Sequence, residues 1–125
     1  MLQVLIVAAG GGLGAALRHL AGLAAVRLLG AGFPWGTAFV NVVGSFLMGV
    51  LVETLAKRLG ASAELRLFLA TGFLGGFTTF SSFSLDTAVL YERGDLALAA
   101  AYVAGTLLLG IAALFAGLGL VRAIG

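Results

Sequence analysis

Cysteine is absent from the sequence, proline occurs once, at Pro34, and tryptophan once, at Trp35. Without cysteine there is no disulfide framework and no thiolate to act as nucleophile or metal ligand. Charge is nearly as scarce: seven Lys/Arg and five Asp/Glu make up 10% of the 125 residues. A soluble domain carries about 25% charged residues, so a globule of this composition cannot cover its surface in water. That excludes a soluble monomeric enzyme. Also missing are a phosphate-binding glycine loop, a dinucleotide fingerprint, a zinc-ligand spacing and a nucleophile elbow. No residues are therefore in place for catalysis, and no organic cofactor is expected. The formal charge of +2 and pI ≈ 9.7 arise from a few basic residues in a charge-poor chain. They do not make the clustered basic face that marks a nucleic-acid partner.

What the chain has is apolar length: 62% of its residues are hydrophobic, with a mean hydropathy of +1.19. Charges and chain breakers divide it into four apolar stretches, at about residues 2–29, 35–56, 65–90 and 96–121. A membrane-spanning helix needs about 20 such residues, so the spacing predicts an all-α membrane protein of four transmembrane helices. Residues 1–125 form a single integral membrane domain, with the lipid bilayer as its solvent. The first stretch has no basic segment before it and no clear cleavage site after it, so it is read as mature structure. Gly30, Gly32 and Pro34 mark the first turn, the Lys57-Arg58 pair closes the second stretch, and Ser62 or Ala63 precedes the third helix.

Gly72, Gly75 and Gly76 precede Thr78-Thr79 in the middle of the third stretch. Irregular backbone at membrane depth is tolerated only where it is buried in protein or lines a wet cavity, and a break near Gly75–Thr79 fits that case. Alternatively, the glycines serve close helix crossing. Gly10-xxx-Gly14, Ser45-xxx-Gly49 and Thr106-xxx-Gly110, in a chain with 20 glycines, are small-xxx-small pairs suited to tight helix crossing. A single four-helix copy has little interior in which to hide a polar pathway, so self-association is expected. With four spans, one side of the membrane carries Lys57, Arg58, Arg66 and Arg122, and the other Arg27 and Arg93, with Arg18 inside span one. So small an excess does not fix orientation, which leaves insertion in both orientations open.

The densest chemical signal is the run from Gly72 to Ser84, in which phenylalanines alternate with hydroxyls. Helix resuming after the break puts Phe80 and Phe83 on one face. Phenyl rings have a positive edge, and Ser81, Ser82 and Ser84 supply hydrogen-bond donors. Such a run without a carboxylate suits a small desolvated anion; the alternative is packing rings and serines back-bonded to their own helix. Asn41, deep in span two with Thr37 one turn earlier, offers two uncharged donors or an interhelical hydrogen bond. Arg18 either draws anions into a vestibule or snorkels to the interface. His19 beside it lacks the companions that metal ligation needs. Tyr102, Thr106 and Gly110 recur at helical spacing in span four, as a sparse polar stripe or, for Tyr102, an interfacial anchor. Glu53 and Lys57 are spaced for an ordinary i,i+4 pair, and Asp86 is read as a capping or pairing residue.

Taken together, these residues resemble the CrcB/Fluc family of small fluoride channels over almost the whole chain. The resemblance rests on Gly14-Ala15-xx-Arg18, on Gly36-Thr37-xx-Val40-Asn41-xx-Gly44-Ser45-Phe46-xx-Gly49, and on the Gly72–Ser84 run. It implies an antiparallel, dual-topology homodimer with two pores, each lined by both subunits. It also implies fluoride contacts at Asn41, Phe80 and Phe83, a polar track at Ser81 and Ser82, and pore-side positions at Thr37, Tyr102 and Thr106. A central structural sodium ion held by the Gly75 and Thr78 backbone carbonyls is implied as well. The role it implies is passive fluoride export through the cell's inner (plasma) membrane, with the protein crossing it several times. His19 and Asp86 depart from the family pattern, which often has an aromatic residue after the arginine and a glutamate at the second position. Small multidrug-type exporters share the short four-span design, but span one here carries Arg18 and no acid. A non-transporting membrane subunit would explain the glycines and leave the Phe/Ser/Thr run with Asn41 unexplained.

Overall fold

The computed structural model describes residues 1–57 and 61–125. The expected close of the second stretch at Arg58, and Gly60 in the following loop, lie outside the described residues. Every regular element among the described residues is helical. Helix α1 covers Leu2–Leu29 and α2 covers Trp35–Lys57. Helix α3 begins as Ala63–Arg66, widens into a π-helix over Leu67–Leu74 and ends as Gly75–Phe77. Helix α4 covers Phe80–Glu92 and α5 covers Leu96–Ile124.

Helices α1, α2 and α5 are each long and apolar enough to cross a membrane, with 28, 23 and 29 residues. At 1.5 Å per residue even the shortest reaches about 34 Å, more than a hydrocarbon core of about 30 Å. The third apolar stretch differs: it is two helices meeting end to end at Thr78-Thr79. Turn chemistry sets the other boundaries. Gly30 and Gly94 take positive φ of 81° and 84°, where a side chain would be strained. Ser62 caps α3 by accepting from the Leu65 amide at 3.0 Å. Arg93 joins the two turns at one end of the bundle, donating to the Gly32 carbonyl at 2.9 Å and pairing with Asp95 at 3.0 Å.

Glycine lets the helices meet backbone to backbone. A Cβ on Gly10 or Gly14 would run into the carbonyls of Phe68 or Phe73 in the π segment, and one on Gly76 into Gly11. On the other side of the bundle, Gly49 of α2 lies against Leu114 and Leu118 of α5, while Gly117 faces Phe46. Contact this close is the membrane alternative to a thick hydrophobic core. The buried apolar set is correspondingly small, with Val40, Leu90 and Tyr102 its most enclosed members. Many large apolar side chains face outward instead, Leu108 at 70% and Phe115 at 64% exposure among them. Such a surface needs lipid or another protein against it.

The α2–α5 crossing also redirects two charges. Glu53 pairs with Arg122 at 3.1 Å, and Lys57 donates to the Val121 carbonyl at 3.1 Å, rather than forming the expected i,i+4 pair. The Gly49 and Gly117 approach brings the end of α5 beside α2. Lys57 adds a second donor to a carbonyl that also accepts from the Gly125 amide at 3.1 Å.

Replacing Gly14 with valine is expected to cost about 1–3 kcal/mol or more through overpacking, seen as a lower unfolding temperature and less monodisperse protein in detergent. Gly119→Ala, where an added methyl meets nothing, is expected to stay within about 0.5 kcal/mol of the parent.

Candidate functional site: a broken helix and its clefts

Thr78 and Thr79 separate α3 from α4 with extended backbone, at φ −89°, ψ 157° and φ −154°, ψ 121°. The break therefore falls on two β-branched residues that favour extended conformations. Of the glycines before it, Gly72 and Gly76 serve the crossing with α1, so both roles considered for the run are present, at different residues.

Ending one helix and starting another leaves carbonyls and amides without intrahelical partners. Several are met locally. The Thr78 amide and Oγ1 both donate to the Leu74 carbonyl, at 3.0 and 2.9 Å. Thr79 Oγ1 caps α4 by accepting from the Ser82 amide at 3.1 Å. The rest needs other helices. Asn41 of α2 accepts from the Thr79 amide at 2.7 Å and donates through Nδ2 to the Thr79 carbonyl at 2.9 Å. Arg18 of α1 donates through Nε to the Gly76 carbonyl at 3.0 Å. The carbonyls of Gly75 and Thr78 accept no hydrogen bond among the described residues. Asn41 thus makes an interhelical clamp and keeps one Nδ2–H to spare.

Clefts open on either side of this clamp. Asn41, Ser45, Thr78, Thr79 and Phe80 contribute to one of about 280 Å³. Another, of about 370 Å³, is lined by Arg18, His19, Thr37, Thr79 and Ser82 among others. A third, of about 300 Å³, adjoins the second through Gly22 and Thr37 and continues past Asp86 to Arg93. Thr79 stands between the first two and contributes to both.

The aromatic residues form a chain beside these clefts. Phe80 and Phe83 have ring centroids 5.8 Å apart, and Phe83 lies 5.1 Å from Tyr102. Phe83 is buried, whereas Phe80 is 75% exposed and extends from the single chain. Tyr102 is held at both ends. Phe33 packs edge-on against its ring at 5.5 Å, and its hydroxyl donates to Asp86 Oδ2 at 3.0 Å. Among the hydroxyl residues, Ser81 is exposed with its Oγ 3.3 Å from Thr79 Oγ1, and Ser82 lines the Arg18 cleft. Ser84 back-bonds to the Phe80 carbonyl at 3.1 Å. Thr106 is half-buried one turn beyond Tyr102, away from the clefts described above.

Sequence reasoning passed over Thr79 as a site residue, Phe33, and the partnership of Asp86 with Tyr102. The first had a signal, since the second residue of a threonine pair after glycines is well suited to cap a resumed helix. The other two link residues far apart in the sequence, and no local pattern encodes them.

Residues 5–118 match the family described as CrcB-like protein, Camphor Resistance (CrcB). Among similar proteins, one from Agrobacterium fabrum is 58% identical over 122 residues, covering 98% of each chain. Another, from Chelativorans sp., is 56% identical over 124 residues and 99% of each chain. A third, from Rhizobium etli, is 53% identical over 124 residues, again 99% of each chain. All three carry the name fluoride-specific ion channel FluC.

Substituting Asn41 by leucine strands the Thr79 amide and carbonyl, at a cost of about 1–3 kcal/mol for each group. Asn41→Asp keeps the acceptor but turns a carboxylate oxygen toward the Thr79 carbonyl, so its loss is expected to be at least as large. Thermal unfolding in lipid nanodiscs measures both, and hydrogen exchange at the Thr79 amide is expected to speed up most in the leucine variant.

Proposed function

The chain belongs to the CrcB family, and from that membership and the geometry of the helix break we propose that it is a fluoride-selective channel. It lets fluoride leave the cell passively through the inner membrane, which the protein crosses with four spans, the third of them discontinuous. The observation that carries this reading is the Thr78-Thr79 break, with Asn41 clamped to it and Phe80, Ser81 and Ser82 following it. These residues offer neutral donors and ring edges to an anion, and no carboxylate lies between Gly72 and Ser84. A strongly hydrated anion must exchange its water for donors that hold it without trapping it. Uncharged amide and hydroxyl groups meet that requirement.

The working unit is an antiparallel homodimer. Phe80, Ser81 and Ser84 are exposed in the single chain, and polar groups at membrane depth need a protein or an aqueous lining. A second copy supplies that cover and completes two pores, each built from both chains. The near-even distribution of basic residues permits the opposed insertion this requires. Arg18, with Nε on the Gly76 carbonyl, presents the remainder of its guanidinium to the vestibule. Tyr102 contributes through its ring and through its hold on Asp86, while Thr37 and Thr106 extend the path along α2 and α5.

A sodium ion fits the break. The Gly75 and Thr78 carbonyls are hard oxygen donors without N–H partners, and a hard cation is matched by such oxygens. Two carbonyls from each chain would hold it, and the ion would supply fixed positive charge that ties the two breaks together.

Fluoride and chloride electrodes reading efflux from reconstituted liposomes test the function. Fast fluoride loss with chloride retained, and no coupling gradient, is the expected result; a well-folded dimer that passes no fluoride would sink the reading. Phe80→Ile and Phe83→Ile are each expected to cut fluoride flux roughly tenfold or more, about 1.4 kcal/mol at the barrier, while the dimer stays intact on size exclusion.

A further inference from the structure

His19 has no role in the clamp, the aromatic chain or the helix crossings, yet it lines the cleft that holds Arg18, Thr37, Thr79 and Ser82. It is exposed, with Arg18 its neighbour on α1. Groups facing it from the packed elements are neutral. Helix α2 brings Gly36 and Thr37, and the break and α4 bring Thr79 and Ser82. Asp86 and Arg93 line the adjoining cleft instead, and Asp86 is engaged by Tyr102. A positive charge on His19 therefore has no carboxylate beside it within its own cleft. Histidine is also the one side chain whose ordinary titration falls between pH 5 and 8.

We infer that His19 is an anion-capture group at the channel mouth, adding a second, proton-dependent positive charge to the fixed charge of Arg18. This inference rests on the fluoride-channel reading and names a residue that sets its entry rate. When protonated, His19 is cationic and raises the local concentration of fluoride at the Arg18 cleft. The gain is largest at low fluoride, where entry limits flux, and fades as the path saturates. A unit charge about 7 Å from an anion, still largely in water, changes its local concentration roughly threefold, and added salt screens the effect. A mouth with this residue works fastest on whichever side of the membrane is acidic.

The test is initial fluoride flux at subsaturating fluoride through the full-length protein in liposomes. Symmetric pH 7.5 and 5.5 are compared, and protein-free vesicles subtract passage of the neutral acid. Flux through the parent is expected to rise roughly threefold on acidification. His19→Gln is expected to stay low and flat, and His19→Lys high and flat, with the parent's pH response shrinking in an impermeant salt. An equal rise in the parent and in His19→Gln would overturn the inference while leaving the channel reading standing. Absence of fluoride flux in every variant at both pH values would overturn the two together.

Discussion

A two-hydrogen-bond ring between the Asn41 side chain and the Thr79 backbone is the constraint on which the rest of the site depends. An interrupted helix in a membrane has amide and carbonyl groups that neither water nor lipid can satisfy. Asn41 presents to Thr79 the donor and acceptor that a neighbouring peptide group would have presented. With that residue held, Thr79 is free to use its hydroxyl as the cap of α4, and α4 in turn sets the direction in which Phe80 and Phe83 project. The Arg18 contact on Gly76 does the same for the end of α3. One side chain from α1 and one from α2 thus locate the two half-helices, and the clefts are what remains between them.

Packing and function are divided between neighbouring residues of the same short run. Gly72 and Gly76 allow α1 to approach until backbone touches backbone, whereas Thr78 and Thr79 do the interrupting. Leu67–Leu74 widens into a π-helix against that glycine face, and π segments recur where a helix must change register near a site. On the far side, Gly49 and Gly117 lock α2 to α5, so the helix that carries Asn41 is held firmly from behind. The few buried side chains suffice because the close crossings supply contact that a soluble protein would obtain from a larger core.

The long helices were legible in the sequence because apolar runs are bounded by glycine, proline and charge. Leu2–Leu29 begins and ends where hydropathy alone puts it. The break was legible in place, though glycine drew attention that belonged to the threonines beside it. The π segment was not, since a run such as Leu67–Leu74 reads the same whether its hydrogen bonds span four residues or five. Within the site, Asn41 declared itself as an amide in an apolar span, yet only three-dimensional placement distinguishes a free donor from one engaged with Thr79. Glu53 shows the opposite limit: helical spacing nominated Lys57, and the neighbouring helix supplied Arg122.

The clamp also carries an implication for biogenesis. Asn41 is synthesised before Thr79, and the segment containing the threonines cannot enter the hydrocarbon unaided without dragging unpaired peptide groups with it, at several kcal/mol apiece. The second helix must therefore already be waiting at the insertion site, its amide turned toward the newcomer. The interrupted segment enters as the partner of a helix already present, and the order in which the ribosome delivers them becomes part of how the fold is made.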